Sequence, residues 1–378
     1  MTLNSKTHIV WATNVDPSGY SSCARSYVKA LYENPKCDVS IIINNVARNI
    51  NLHGIDKSDI LFFSDISTKY ATSDQLLVQH CVPDRFVFGS KPHIIYTVTE
   101  MPCPDRWSFI CNKCDLIMTA SHFCKEQMIN SGIKEEIIHV VPHCHDFKQW
   151  NPSVTPLNIE NLRGVNFLFL GDYTPRKGGD DVVRQFIKVF SGNKDVSLTI
   201  KAYFNSFSFV DQKRLIDRIE SVSISSGVER KLWPKIMFYG EPIRETLMPR
   251  FMASFDCLVS PHRDEGWGLS LSEMLCLGKP VIATGYSGNL EFMNKENSFL
   301  IDIDGFEPVC DEMVAINPNF IGCSWPKVNL DMFSDLMSHV VSDVAGSLEK
   351  GNLAYREMCE LFNFNIISNR IINVVEGV

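Results

Sequence analysis

Two glutamates, Glu265 and Glu273, stand eight positions apart in the segment DEGWGLSLSEMLCLGKPVIATGYSGNLE (264–291). The loop between them sets Gly266 and Gly268 around the bulky Trp267, which excludes regular structure there. From Ser270 the apolar residues Leu271, Met274, Leu275 and Leu277 recur at helical spacing, Gly278 stops the run, and VIAT (281–284) reads as a buried strand. A glycine loop entering a helix offers unpaired N–H groups and the positive end of the helix dipole, a place for a phosphate or a sugar hydroxyl. On spacing alone, a tight αβ loop with two solvated carboxylates fits equally well. A second cluster, LGDYTPRKGGDD (170–181), runs strand, loop, helix and puts Arg176 and Lys177 at a helix entrance. Adjacent cations there suit a diphosphate, although a solvated basic turn has the same letters.

Together these segments resemble the retaining GT-B glycosyltransferases of family 4. That family's pattern E-G-[FW]-G-L-x-x-x-E is met by Glu265, Gly266, Trp267, Gly268, Leu269 and Glu273, and the match continues through Gly278, Lys279, Pro280, Ser287, Gly288, Asn289 and Glu291. The resemblance implies that Glu273 holds the ribose hydroxyls of a nucleotide-sugar. Glu265 then lies against the transferred sugar, and the backbone of Gly266–Leu269 cradles sugar and phosphate. It implies that Lys177, with Arg176 beside it, meets the diphosphate, so that Glu265, Lys177 and Arg176 are the catalytic candidates. The family's first Arg of this motif is Asp172 here. Gly19 in SGYSS (18–22) resembles the first glycine loop, which faces the donor phosphates, and Gly240 and Ile243 fall where the base is held. Small contacts there decide between UDP and GDP. The segment IIYTVTEMPCPDRW (94–107) resembles the acceptor-facing region of part of the family and nominates Glu100 and Arg106, with His80 at another strand end. A solvent-facing glutamate and a packed histidine are equally good readings of the same residues.

The elements that must position these groups alternate strand and helix. Strands are expected at 8–15, 39–44, 60–64, 76–80, 94–98, 115–119 and 137–141, with helices at 22–32 and 122–131. Three prolines in VPHCHDFKQWNPSVTP (141–156) read as a linker. The alternation restarts with strands at 166–171, 196–202, 235–239, 256–260 and 280–284, and helices at 178–191, 208–226, 244–254 and 270–277, before a helical tail from about 330. The expected fold is α/β, with two doubly wound parallel sheets. The resemblance adds that two Rossmann-like domains face a central cleft. An acceptor-side domain is expected over 1–152, a donor domain over 153–345, and a final segment over 346–378 crossing back to the first domain.

At 378 residues the chain fits two domains rather than one core. With 44 acidic residues against 36 basic, nucleic acid is an unsuitable partner. No apolar run is long enough to span a membrane, which leaves peripheral contact open. Thirteen cysteines without framework spacing point to reduced thiols and a cytoplasmic setting. Cys111 and Cys114, on an apparent helix, together with His122, Cys124, His143 and His145, lack the second C-x2-C of a zinc site. Asp302 and Asp304 read as part of a surface turn. No metal and no cofactor are therefore expected beyond a nucleotide-diphosphate sugar as co-substrate, with a glycan, lipid-linked or small-molecule acceptor. The activity implied is sugar transfer to a hydroxyl with retention. The alternatives are a catalytically inactive sugar-nucleotide or glycan-binding module and a GT-B-fold sugar-nucleotide epimerase, the latter needing acid and base residues that the sequence does not display.

Overall fold

The computed structural model describes residues 6–16, 18–44, 55–67, 75–203 and 208–378. The chain forms two compact units, residues 1–147 with 359–378, and residues 148–358.

In the first unit the order is β1 (Thr7–Thr13), α1 (Gly19–Glu33), β2 (Cys37–Ile43), α2 (Lys57–Ser67), β3 (Leu76–His80), β4 (Ile94–Tyr96), α3 (Asp105–Cys111), β5 (Leu116–Thr119), α4 (His122–Asn130) and β6 (Ile138–Val140). The strands make one sheet in the order β2-β1-β3-β4-β5-β6, every pair parallel. The order reverses between β1 and β3, and ligands in such sheets bind beyond the strand ends at that point. Residues 60–64, expected as a strand, are the middle of α2. Its buried side chains, Phe63 and Ile66, are three apart, and Leu61 is exposed, a helical rather than an alternating pattern. Cys111 ends α3, while Cys114 lies beyond it. Both pack with Cys81, Cys103 and Ile117 in an apolar cluster.

The second unit runs β7 (Val165–Asp172), α5 (Gly179–Val189), β8 (Val196–Tyr203), α6 (Phe209–Ser225), β9 (Lys235–Tyr239), α7 (Met248–Ala253), β10 (Cys257–Ser260), α8 (Leu269–Cys276), β11 (Val281–Thr284) and β12 (Phe299–Ile301). After these come β13 (Ile303–Pro308), α9 (Asp311–Ile316), β14 (Ser324–Val328), α10 (Leu330–Ser342) and α11 (Val344–Leu361). Its sheet has the order β12-β11-β10-β7-β8-β9, again all parallel, with the reversal between β7 and β10. The β13–β14 pair is an antiparallel hairpin that the strand–helix alternation did not suggest. Asp302 and Asp304 belong to this β12–β13 path rather than to a turn, and Asn329 donates to the Asp304 carboxylate at 2.9 Å.

Packing of the second unit decides where its catalytic candidates sit. Phe186 on α5 and Phe190, which caps its C-terminus, clasp Phe167 of β7 with ring centroids 5.8 and 5.7 Å away. All three are buried. Fixing α5 against β7 fixes the loop between them, Tyr173–Gly178, which carries Arg176 and Lys177. Beyond Leu361 the chain ends in α12 (Phe364–Val375), which packs on α1 of the first unit. There Asn34 donates to Ser368 at 2.8 Å, and the backbone N–H of His145 to Phe362 at 3.0 Å.

Candidate functional site

The strand ends of β7 and β10 are neighbours at the reversal of the second sheet, and their loops carry oppositely charged groups to one point. After β7 the chain makes a short 3-10 turn, Pro175–Lys177, then Gly178, then α5. After β10 it makes the Asp264–Gly268 loop and enters α8. Lys177 donates from Nζ to Glu265 Oε1, and Arg176 Nη1 lies 3.7 Å from Glu265 Oε2. Arg176 also donates to the Asp264 carbonyl at 2.7 Å, so this buried guanidinium ties the two loops together. Glu265 is 6% exposed. Burial by itself would raise its pKa, but Lys177 and then Arg176 outweigh that and hold the carboxyl at about 2. Two cations face one ionised carboxylate, an arrangement that an anionic ligand can use.

The backbone of the β10 loop is held as tightly. The Glu265 N–H donates to Ser287 Oγ at 3.0 Å, and the Gly288 N–H to the Glu265 carbonyl at 2.8 Å. Buried His262 sits behind it, 3.1 Å from Asn289 Oδ1 at Nε2 and 3.2 Å from Ser260 Oγ at Nδ1. Burial lowers its pKa, so it is a neutral strut. Trp267, 2% exposed, donates to Ser272 Oγ at 3.1 Å and stacks near Phe292, so its ring anchors the loop rather than lining an opening. Gly268 caps α8 at φ +92°, a left-handed geometry that glycine adopts without strain. Gly288 allows no side chain at all, because a Cβ there would lie 2.1 Å from the Gly266 carbonyl oxygen. Gly288→Ala is therefore expected to push the loop after β11 away from the β10 loop, at about 1–3 kcal/mol by denaturant unfolding. An unchanged unfolding midpoint would mean that the loops are not in contact.

Glu273 lies on α8, half-buried, and no hydrogen bond or ion pair among the described residues holds its carboxyl. Burial, with Glu245 adding to it, pushes its pKa up to about 8. Gly240 and Ile243 follow β9. Gly240 is buried against Gln212 and Phe238, and Ile243 is half-buried. Asp172 ends β7 opposite Tyr203 of β8.

In the first unit Gly19 is the first residue of α1 rather than part of an open loop. The hydroxyl of Ser18 caps the helix, accepting from the Ser21 N–H at 3.3 Å. His80 ends β3, 2% exposed, with Tyr20 and Tyr96 rings 4.5 and 4.4 Å away. Among the described residues neither ring nitrogen has a hydrogen-bond partner, and burial lowers its pKa to about 3. It is a neutral imidazole with hydrogen-bonding capacity to spare. Arg106 is an exposed side chain on α3, engaged by Asp84, and Glu100 follows β4 at intermediate exposure.

Arg263, which sequence reasoning passed over, braces the second unit's site, and Lys201 is a buried cation of that unit's sheet. Arg263 donates its backbone N–H to the Arg176 carbonyl at 2.7 Å and Nη1 to the Pro175 carbonyl at 3.0 Å. Its other arm meets Asp181 at 3.0 Å, and the guanidinium lies 5.3 Å from the Trp325 ring of β14. The hairpin thereby braces the turn that presents Lys177. Lys201 on β8 is 5% exposed beside Tyr239, its pKa lowered by burial to about 8. A lysine breaking the apolar run VSLTIKA was the available signal. Among the described residues, no three His, Cys, Asp or Glu side chains converge as metal ligands.

Residues 164–316 match the family described as glycosyl transferases group 1. No curated protein matches the chain in sequence. In structure the chain is similar to Anabaena HepE, solved in complex with UDP and glucose, with a TM-score of 0.69 at 12% identity over 98% of this chain and 100% of that one. It is also similar to sucrose-phosphate synthase from Thermosynechococcus elongatus, at 0.66, 13%, 98% and 99%. A glycosyltransferase from Rickettsia africae gives 0.64, 13%, 98% and 98%. These likenesses show the fold, two Rossmann-like parallel-sheet units of the GT-B type.

Proposed function

We propose that this chain is a glycosyltransferase that moves a sugar from a nucleotide-diphosphate donor to an acceptor hydroxyl. The observation that carries the reading is the meeting of Lys177, Arg176 and Glu265 at the β7 and β10 strand ends. When a glycosidic bond to a diphosphate breaks, negative charge grows on the leaving phosphate and positive charge on the sugar ring. Fixed cations and a fixed carboxylate a few ångströms apart answer both charges without reorganising. Lys177 already stands half-buried against Glu265, so its remaining N–H groups can donate to phosphate oxygens while the carboxylate stays ionised. Glu273 takes the ribose hydroxyls, and the residues after β9, Gly240 to Ile243, take the base. The match of residues 164–316 to glycosyl transferases group 1 supports the glycosyltransferase reading.

Retention and independence of metal belong to the same proposal, as does the alignment with family 4. With Glu273 assigned to the ribose, no acid–base carboxylate pair flanks the scissile bond. The acceptor hydroxyl then attacks on the leaving-group face and passes its proton to the departing phosphate. Arg176 and Lys177 supply the charge that a divalent ion would otherwise provide. We assign acceptor binding to the strand ends of the first unit, where neutral His80 has both ring nitrogens available.

A thermal-shift series with UDP-, GDP-, ADP-, dTDP- and CMP-linked sugars, with and without EDTA, tests the donor site. A donor at 100 times its Kd is expected to stabilise the protein by about 2.7 kcal/mol. We expect a shift with one nucleotide series, unchanged by EDTA, with UDP the first to try because HepE was solved with it. No shift with any donor would remove the basis of the reading. A shift abolished by EDTA would remove metal independence.

A further inference from the structure

At the other end of the second sheet from Lys177 and Glu265, where β8 and β9 begin, lies a cavity of about 590 Å³. One wall is the face of α6 bearing Ile216, Ile219 and Ser223, which repeat at helical spacing. The other wall is Trp233, Ile236 and Phe238. Four cations, Arg163, Lys194, Arg230 and Lys235, surround these walls, with Glu220 the one carboxylate among the described lining residues. Glu220 is neutralised by Arg230 at 3.0 Å, and that guanidinium also lies 5.5 Å from the Trp233 ring. The other three cations are exposed, and among the described residues no ion pair or side-chain hydrogen bond engages them.

The chain as a whole carries a net charge of −8. Three uncompensated cations around an apolar hollow are therefore a local reversal of sign, which attracts anions to this spot and not to the surrounding surface. A bare anion would leave the aromatic and aliphatic walls wetted, and a neutral hydrocarbon would leave the cations unanswered. Only a molecule with both parts uses the whole site, and the volume is in the range of small-molecule pockets, roughly 300–1,000 Å³. We propose that this cavity binds an anionic amphiphile, its hydrocarbon body between α6 and β9 and its phosphate head among Arg163, Lys194 and Lys235. The site is separate from the sugar-nucleotide site and does not depend on that reading.

Calorimetric titration of the full chain with dodecyl phosphate, kept below its micellar concentration, tests this. Dodecyl maltoside and inorganic phosphate serve as controls for tail without charge and charge without tail. We expect saturable one-to-one binding of dodecyl phosphate, at least tenfold tighter than either control. The double charge reversal Lys194→Glu with Lys235→Glu should weaken it at least tenfold. Ile216→Asp, an exposed position on the apolar wall, should weaken it similarly. Both variants should keep the wild-type circular dichroism and donor thermal shift. Co-sedimentation with phosphatidylcholine vesicles containing dodecyl phosphate separates the sources. Vesicle binding lost in the double variant assigns a bilayer lipid, and monomer binding without vesicle binding assigns a free amphiphile. Equal affinity for either control, indifference to both variants, or no binding to monomer and vesicle would each overturn the proposal.

Discussion

Lys177→Ala is expected to lower turnover at least about 100-fold, the scale on which a fixed donor to a developing anion acts, and to destabilise the fold at the same time. The second effect follows from Glu265, which is 6% exposed and whose ion pair with Lys177 is its principal compensation. Leaving a buried charge unpaired costs about 3–5 kcal/mol, and Arg176 at 3.7 Å softens that toward the lower value. The double variant Lys177→Ala with Glu265→Gln removes the stranded charge, so it should regain most of the lost stability and none of the lost turnover. The pH dependence adds a separate check. In the wild type Glu265 titrates at about 2 when folded, against about 4.3 unfolded. Its contribution is thus complete above about pH 4.3 and disappears as pH falls toward 2. Without Lys177 the burial that raises its pKa is less opposed, and the acid-side loss shrinks. Melting curves from pH 2 to 8 on the three proteins decide the matter. If the single variant were as stable as the wild type and the double variant no better, Glu265 would not depend on Lys177.

The sequence displayed the parts of this site that are local and concealed the parts that are not. Glu265, Gly268 and Glu273 were readable because one loop and one helix turn hold them, and glycine punctuation with helical spacing survives in the letters. Lys177 was readable for the same reason at its own loop. Their ion pair was not, since 88 positions separate Lys177 from Glu265 and only the adjacency of β7 and β10 joins them. The brace on the Lys177 turn was further out of reach. Arg263 stands two residues before Glu265 and could have been noticed, but its Trp325 comes from a hairpin lacking the strand–helix rhythm that revealed the sheets. The error at 60–64 has a different origin. A short apolar run such as ILFF fits a buried strand and a helix alike, and only the burial of Phe63 with Ile66 separates the two.

Glu273→Gln is expected to separate stability from donor binding. The wild-type carboxyl keeps its proton up to about pH 8 because burial and nearby Glu245 oppose its ionisation, whereas the unfolded chain releases it near 4.3. Between those values the folded state binds more protons than the unfolded state, so this group makes stability fall as pH rises from about 4.3 to 8. Lys201 acts in the next window and with the opposite slope. Its folded pKa is lowered to about 8 from about 10.4, so its contribution rises with pH between them. The two contributions together give a minimum near pH 8. Glutamine has the same shape without the ionisation, so Glu273→Gln should remove the downward limb, leave the upward one, and melt higher than the wild type at pH 8. The same change puts an NH2 in place of one of the two oxygens that can meet the ribose hydroxyls, and donor affinity should drop by up to about tenfold, the value of one neutral hydrogen bond, about 0.5–1.5 kcal/mol. A stabilised variant that still bound donor normally would detach Glu273 from the ribose while leaving its titration intact. A variant that kept the downward limb would place that titration on another group. The expected pairing, a more stable protein with a poorer donor site, is what a carboxyl kept half-buried and unpartnered for a ligand should give.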